Sequence, residues 1–102
     1  MDFNFNEVNG RVQVKIIGDM DVMGATMNKN LFFEKLKQYE GKEFDIDMSK
    51  VNYIDSTGIG FLISVYREAK KLKSTLIFSN FNENVFKVLK MTNLDKALPI
   101  KY

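Results

Sequence analysis

Four consecutive residues, Asp55-Ser56-Thr57-Gly58, bring a carboxylate and two hydroxyls together where an apolar segment ending at Ile54 feeds a stretch of helical periodicity. At the start of a helix the first backbone N–H groups have no partner within the helix, and the positive end of its dipole faces outward. The place therefore tolerates added negative charge. The same residue types also serve a plainer purpose, since Asp55 or Ser56 can simply cap the helix.

Other chemistry is poorly supplied. The chain has no Cys and no His, which removes disulfides, thiolate metal sites, the usual neutral-pH general base and the commonest nitrogen ligand of zinc. A hydrolase built on Ser56 would need Lys or a carboxylate as its base, and the turn lacks the G-x-S-x-G elbow. Asp19, Asp21, Asp45 and Asp47 could in principle hold magnesium and accept phosphate, as in a response-regulator receiver. The alternation around Asp45 and Asp47 instead puts these two on a sheet face. The expectation is a binding module and not an enzyme, with no metal and no cofactor of its own.

The 102 residues, 45% hydrophobic and 27% charged, suit one globular domain over 1–102. No apolar run approaches the roughly 20 residues of a membrane span, and the start of the chain lacks the basic flank and apolar core of a signal peptide. A cytoplasmic, monomeric protein away from the membrane is expected. Residues 1–60 carry 7 basic and 10 acidic side chains and residues 61–102 carry 8 and 3. That polarity could orient a partner, or be no more than a solvated helix face. The lysines are not gathered with exposed aromatics into one stripe, which speaks against nucleic acid.

The turn is positioned by an ordered series of elements. Phe3 and Phe5 alternate with Asn4 and Asn6, and Asn9-Gly10 is a strong hairpin signal. Val12, Val14 and Ile16 then alternate with Arg11, Gln13 and Lys15. After Gly18-Asp19-Met20-Asp21 a helix is expected over 24–39 with Ala25, Phe32, Leu36 and Tyr39 on its inner face, which Asn28 interrupts. Met27 and Leu31 fall on the opposite side, either under a loop or open to a partner. Phe44, Ile46 and Met48 mark a third strand. The helix after Asp55 runs to about residue 72, with a buried stripe expected at Ile59, Leu62, Ile63, Tyr66 and Ala69, widened by Phe61, Val65 and Leu72. Gly60, Ser64, Arg67, Glu68 and Lys71 form a polar wedge continuous with Ser56. A strand at 76–78, a helix capped by Asn82, a left-handed Asn93, a short helix over 94–98 and a last strand at Ile100 complete the chain. The fold class is α/β: a mixed sheet of four to five strands whose helices cover mainly one face.

The segment Tyr53-Ile54-Asp55-Ser56-Thr57-Gly58-Ile59-Gly60-Phe61-Leu62 resembles the signature of the anti-sigma factor antagonists, the STAS domain family. Gly18-Asp19-Met20-Asp21 resembles the family's G-x-L-D turn, residues 44–49 its central strand, and residues 85–94 its next-to-last helix. The likeness runs in order through essentially the whole chain. It implies that a partner serine kinase, itself an anti-sigma factor, phosphorylates Ser56, and that a serine phosphatase reverses the step. The unphosphorylated form then binds the kinase and frees a sigma factor, so transcription is regulated by partner switching. ATP and magnesium would belong to the kinase. On this reading Thr57 is the competing acceptor, Asp55 fixes how Ser56 is presented, and Asp21 lies beside it. Gly58 and Gly60 keep side chains away from an approaching active site, and Thr57, Gly60, Ser64 and Arg67 contact the partner. An alternative within the family is a STAS adaptor of a stress-signalling or lipid-transport assembly that takes no phosphate. Two departures stand out: Asn93 replaces a usual Gly, and no Gly occurs near Ser74, where the family often has one.

Overall fold

Asn9 and Gly10 both take positive φ, 53° and 82°, the backbone that matches a two-residue turn to the twist of its flanking strands. In the computed structural model, which describes residues 1–102, this turn joins β1 (Asp2–Val8) to β2 (Arg11–Ile17). The pair is antiparallel, in register from Asp2 opposite Ile17 to Val8 opposite Arg11. The chain continues through α1 (Val22–Gln38), β3 (Glu43–Lys50), α2 (Ser56–Lys71), β4 (Thr75–Ser79), α3 (Glu83–Met91), α4 (Leu94–Ala97) and β5 (Ile100–Lys101). The five strands lie side by side in sequence order, and every pair after the first is parallel. Each parallel step needs a crossover, which the helices supply.

Alternation along the strands sorts the two faces of the sheet. Val12, Val14, Ile16, Phe44, Ile46, Met48, Leu76 and Phe78 are buried and share one core with Ala25, Phe32 and Leu36 of α1, Phe61, Leu62 and Val65 of α2, and Val85 and Leu89 of α3. The other face carries Arg11, Gln13, Lys15, Asp45 and Asp47 and has no helix over it. The expected layering is thus observed. Phe32 is the hub of an aromatic group, with ring centroids 4.9, 5.1 and 5.4 Å from those of Phe3, Phe5 and Phe61 in edge-on contact. Such edge-on pairs each add roughly 0.5–1.5 kcal/mol beyond area burial, and these three tie α1 to the β1–β2 hairpin and to α2. Asn28, out of place on the inner face, is half-buried and satisfies itself by donating from Nδ2 to the carbonyl of Gly24 at 2.8 Å.

Two helix details differ from the sequence reading. The buried row of α2 is Gly58, Phe61, Leu62, Val65 and Ala69, while Ile59, Ile63 and Tyr66 are only half-buried. The helix is turned toward its Gly58 side because that glycine packs directly on Met20 and Ile54, in the segments that follow β2 and β3. Asn82 stands at the N-cap of α3 but bonds no helix N–H; its Nδ2 donates to the Val51 carbonyl and to Asn52 Oδ1, both at 2.8 Å. It staples the start of α3 to the segment after β3.

The turn after α2 manages without glycine. Ser74 N–H donates to the Ala69 carbonyl at 2.9 Å, and Lys73 takes the left-handed conformation with φ 57°, which strains a side chain with a Cβ. Ser74 is buried and its Oγ accepts from Gly41 N–H at 2.8 Å, joining the turn after α1 to the turn after α2. Asn93 is also left-handed, at φ 60°, as expected. Lys73→Gly should therefore raise the unfolding free energy by about 0.5–1 kcal/mol in urea denaturation, the relief of strain exceeding the entropy of the more flexible unfolded chain.

Candidate functional site

The site is set by an exchange between two loops at the ends of β2 and β3. Met20 and Ile54 form an isolated parallel bridge. Met20 N–H donates to the Tyr53 carbonyl at 2.9 Å, and Asp55 N–H donates to the Met20 carbonyl at 3.3 Å. The residues that follow the bridge, Asp21 and Asp55, each begin a helix. Asp21 Oδ1 accepts from Gly24 N–H at 2.8 Å and Asp55 Oδ1 from Gly58 N–H at 3.0 Å, so each carboxylate meets one of the donors a helix start leaves open. Capping by Asp55 is therefore real, and it leaves Ser56 free.

Ser56 is the first residue of α2 and is exposed. Its hydroxyl enters no hydrogen bond within the chain, and it points from the turn whose N–H groups at Ser56 and Thr57 have no acceptor in the helix. Thr57 is half-buried. With Gly60 and Ser64 it forms one wall of a groove of about 410 Å³, and Ala25, Thr26, Lys29 and Asn30 of α1 form the other. Ser64 Oγ donates back to the Gly60 carbonyl at 2.9 Å. Arg67 is exposed but lies outside that lining.

Gly58 has a different reason from the one its place in the turn suggested. It is buried, and a Cβ there would sit 2.1 Å from the Met20 carbonyl oxygen and 2.8 Å from Ile54 Cγ1. It lets α2 seat on the loop behind it and does not open the way to a visitor. Gly60 is the open one, where a Cβ would meet nothing within 4 Å. Sequence reasoning missed Gly24, whose Cβ would lie 2.8 Å from the Asp19 carbonyl oxygen, and Thr26, Lys29 and Asn30. A glycine in the first turn of each helix was the available signal for the first of these. Nothing in the sequence placed α1 against α2.

The remaining acids lie elsewhere. Asp45 receives two hydrogen bonds from Arg11 and one from Gln13 on the open face of the sheet, and Lys15 Nζ lies 3.9 Å from Asp47. No three carboxylates converge in a way that could hold a metal ion. The receiver arrangement is thereby ruled out by position. The Arg11 hydrogen bonds hold the Asp45 carboxyl below its ordinary range, against some desolvation. Burial pushes Asp47 up, but the Ser49 N–H and the Asn80 amide outweigh it, and its carboxyl is also lowered.

The STAS domain family model matches residues 2–102, and the chain belongs to that family. It is 27% identical over 93 residues to an anti-sigma-B factor antagonist of Listeria monocytogenes, covering 88% of this chain and 78% of the relative. The anti-sigma-B factor antagonist of Bacillus subtilis is 28% identical over 89 residues, covering 87% and 80%. Among solved structures, the anti-sigma factor antagonist SpoIIAA in its unphosphorylated form superposes with a TM-score of 0.75 at 17% identity, over 98% of this chain and 86% of that one. SpoIIAA in its phosphorylated form gives 0.69 at 17% identity, over 98% and 89%.

Alanine at position 58 should lower the unfolding free energy by about 1–3 kcal/mol through overpacking, whereas Gly60→Ala should raise it by up to about 1 kcal/mol, the ordinary helix gain; urea denaturation of both variants reads the difference in sign. For Asp45 the folded pKa is depressed, so its contribution is complete above the ordinary value of 3.8 and fades as pH falls through the lowered folded value. Asp45→Asn should therefore flatten the loss of thermal stability on acidification below about pH 5, and an unchanged acid profile would contradict the assignment.

Proposed function

We propose that phosphorylation of Ser56 switches this chain, an anti-sigma factor antagonist, between a form that binds an anti-sigma factor serine kinase and a form that releases it. Bound to the unphosphorylated chain, the kinase lets go of its sigma factor, and transcription by that sigma factor proceeds. A serine phosphatase resets the cycle. The observation that carries the reading is an exposed hydroxyl, without a partner in the chain, on the first residue of a helix locked to the sheet through Gly58 and Met20. The names of the relatives and the two forms of SpoIIAA support it.

The physics of the switch is local. A phosphate adds about −1.5 to −2 charges, and a helix start accepts such charge with little disturbance. Here the N–H groups of Ser56 and Thr57 face the new group, while Asp21 and Asp55 are already held by Gly24 and Gly58. The fold therefore stays as it is. In a complex, the same dianion meets the kinase's nucleotide phosphates and acidic side chains in a desolvated cleft. A coupling of about 3 kcal/mol changes affinity roughly 100-fold, which suffices without rearrangement of the chain. Thr57, half-buried against α1, is the poorer acceptor. Thr57, Gly60, Ser64 and Arg67 lie on the α2 side of the contact. ATP and magnesium are the kinase's, and the chain acts in the cytoplasm as substrate and binding module, with no cofactor and no catalysis of its own.

Incubation with ATP and a candidate anti-sigma factor serine kinase from the same organism should place one phosphate on Ser56, located by mass spectrometry. Ser56→Ala should retain full affinity for that kinase, while Ser56→Asp should bind at least tenfold more weakly. Equal affinities of the two variants would refute the switch, and a chain that takes no phosphate would belong with fixed adaptors.

A further inference from the structure

The solvent side of α1 is apolar along one row. Met23, Met27 and Leu31 follow each other at intervals of four residues, so they stand one above another on the helix, and they are 70%, 75% and 51% exposed. Single apolar residues on a surface are ordinary, but a continuous row of them marks a place of contact. None of the three belongs to the core or packs against it. No loop covers them, which settles one of the two possibilities open for Met27 and Leu31.

The row's place in the fold says what it meets. It starts two residues after Asp21, whose counterpart across the Met20–Ile54 bridge is Asp55, the residue before Ser56. Between the row and α2 runs the groove walled by Thr26, Lys29 and Asn30 on one side and Thr57, Gly60 and Ser64 on the other. A specific interface covers about 800 Å² on each partner and has an apolar centre depleted of charge. The α2 side offers a glycine, two hydroxyls, Arg67 and, just ahead of Ser56, the half-exposed ring of Tyr53, and one ring by itself is too small to form such a centre. A globular protein that brings an active site over Ser56 and extends over that area reaches the start of α1.

We infer that Met23, Met27 and Leu31 are the apolar anchor of the kinase interface, received by an apolar pocket or groove on the anti-sigma factor, with Ser56 at the end of the row acting as the switch. The identity of the partner rests on the Ser56 reading above. The division of labour is physical: burial of the row supplies attraction that does not depend on the state of Ser56, and the dianion supplies the repulsion that overrides it. Methionine suits the first role because its unbranched, polarizable side chain adapts to a partner's surface.

The test uses the full chain and the purified kinase with ADP, with affinity read by calorimetry. The double variants M23E/M27E and M23K/M27K should each lose at least tenfold in affinity, since either charge spoils an apolar contact, while Met27→Leu should stay within twofold of the wild type. Thermal unfolding of both double variants should match the wild type, as the altered residues are mostly exposed and stand outside the core. Wild-type affinity in both double variants would overturn the inference, even with phosphate found on Ser56. Loss confined to the glutamate variant would also overturn it, because the effect would then be electrostatic. So would a wild-type dimer that M23K/M27K disperses while binding the kinase normally, for the row would then join two copies of this chain. The Ser56 reading is judged separately by where mass spectrometry finds the phosphate: the double variants lose affinity with no phosphate on Ser56 if the anchor is right and the switch is wrong.

Discussion

The approach of α2 to the loop ahead of α1, with the Gly58 backbone against the Met20 carbonyl, governs the geometry of the whole working end of the molecule. A side chain at position 58 would need space that the carbonyl already occupies. With glycine there, Met20 can bridge to Ile54, Asp55 N–H can reach the Met20 carbonyl, and the two helices can begin side by side from adjacent, capped aspartates. Ser56 is exposed as a result of this seating. Its neighbour Gly58 faces inward, its neighbour Asp55 is occupied as a cap, and the first residue of the helix is left pointing at solvent.

Such a construction separates folding from signalling. The core lies under the sheet's other residues and in the aromatic group around Phe32, none of which involves the Ser56 hydroxyl. The ion pairs of the open sheet face, Arg11 with Glu43 and Asp45 among them, lie on the opposite side of the sheet from the helices. Charge added at Ser56 thus changes what another surface experiences there and little within the chain. A group buried deeper would couple modification to unfolding, and one placed on a loose loop would not be held in register with a partner's active site.

Much of this was legible from residue types. The Asn9-Gly10 turn, the alternation in β2 and β3, the left-handed Asn93 and the order of the elements all follow from local rules that the fold obeys. The resemblance located the turn at Asp55-Ser56-Thr57-Gly58, and local rules explained its cap. What sequence could not supply were facts that depend on two segments at once. The orientation of α2 is set by Gly58 meeting Met20, 38 residues earlier in the chain, so the helix is rotated from the face that its own periodicity favours. Asn82 forgoes its cap for Val51 and Asn52, and Lys73 takes a left-handed turn because Ser74 is needed by Gly41. The wall of the groove on α1 was invisible for the same reason.

The most direct measurement compares amide chemical shifts and hydrogen exchange of the chain before and after stoichiometric phosphorylation of Ser56. Changes should be confined to the first turn of α2 and the start of α1, with unaltered protection in β2, β3 and β4 and an unchanged global unfolding free energy. Loss of protection across the sheet would mean that phosphate acts by loosening the fold, and the central claim would be wrong.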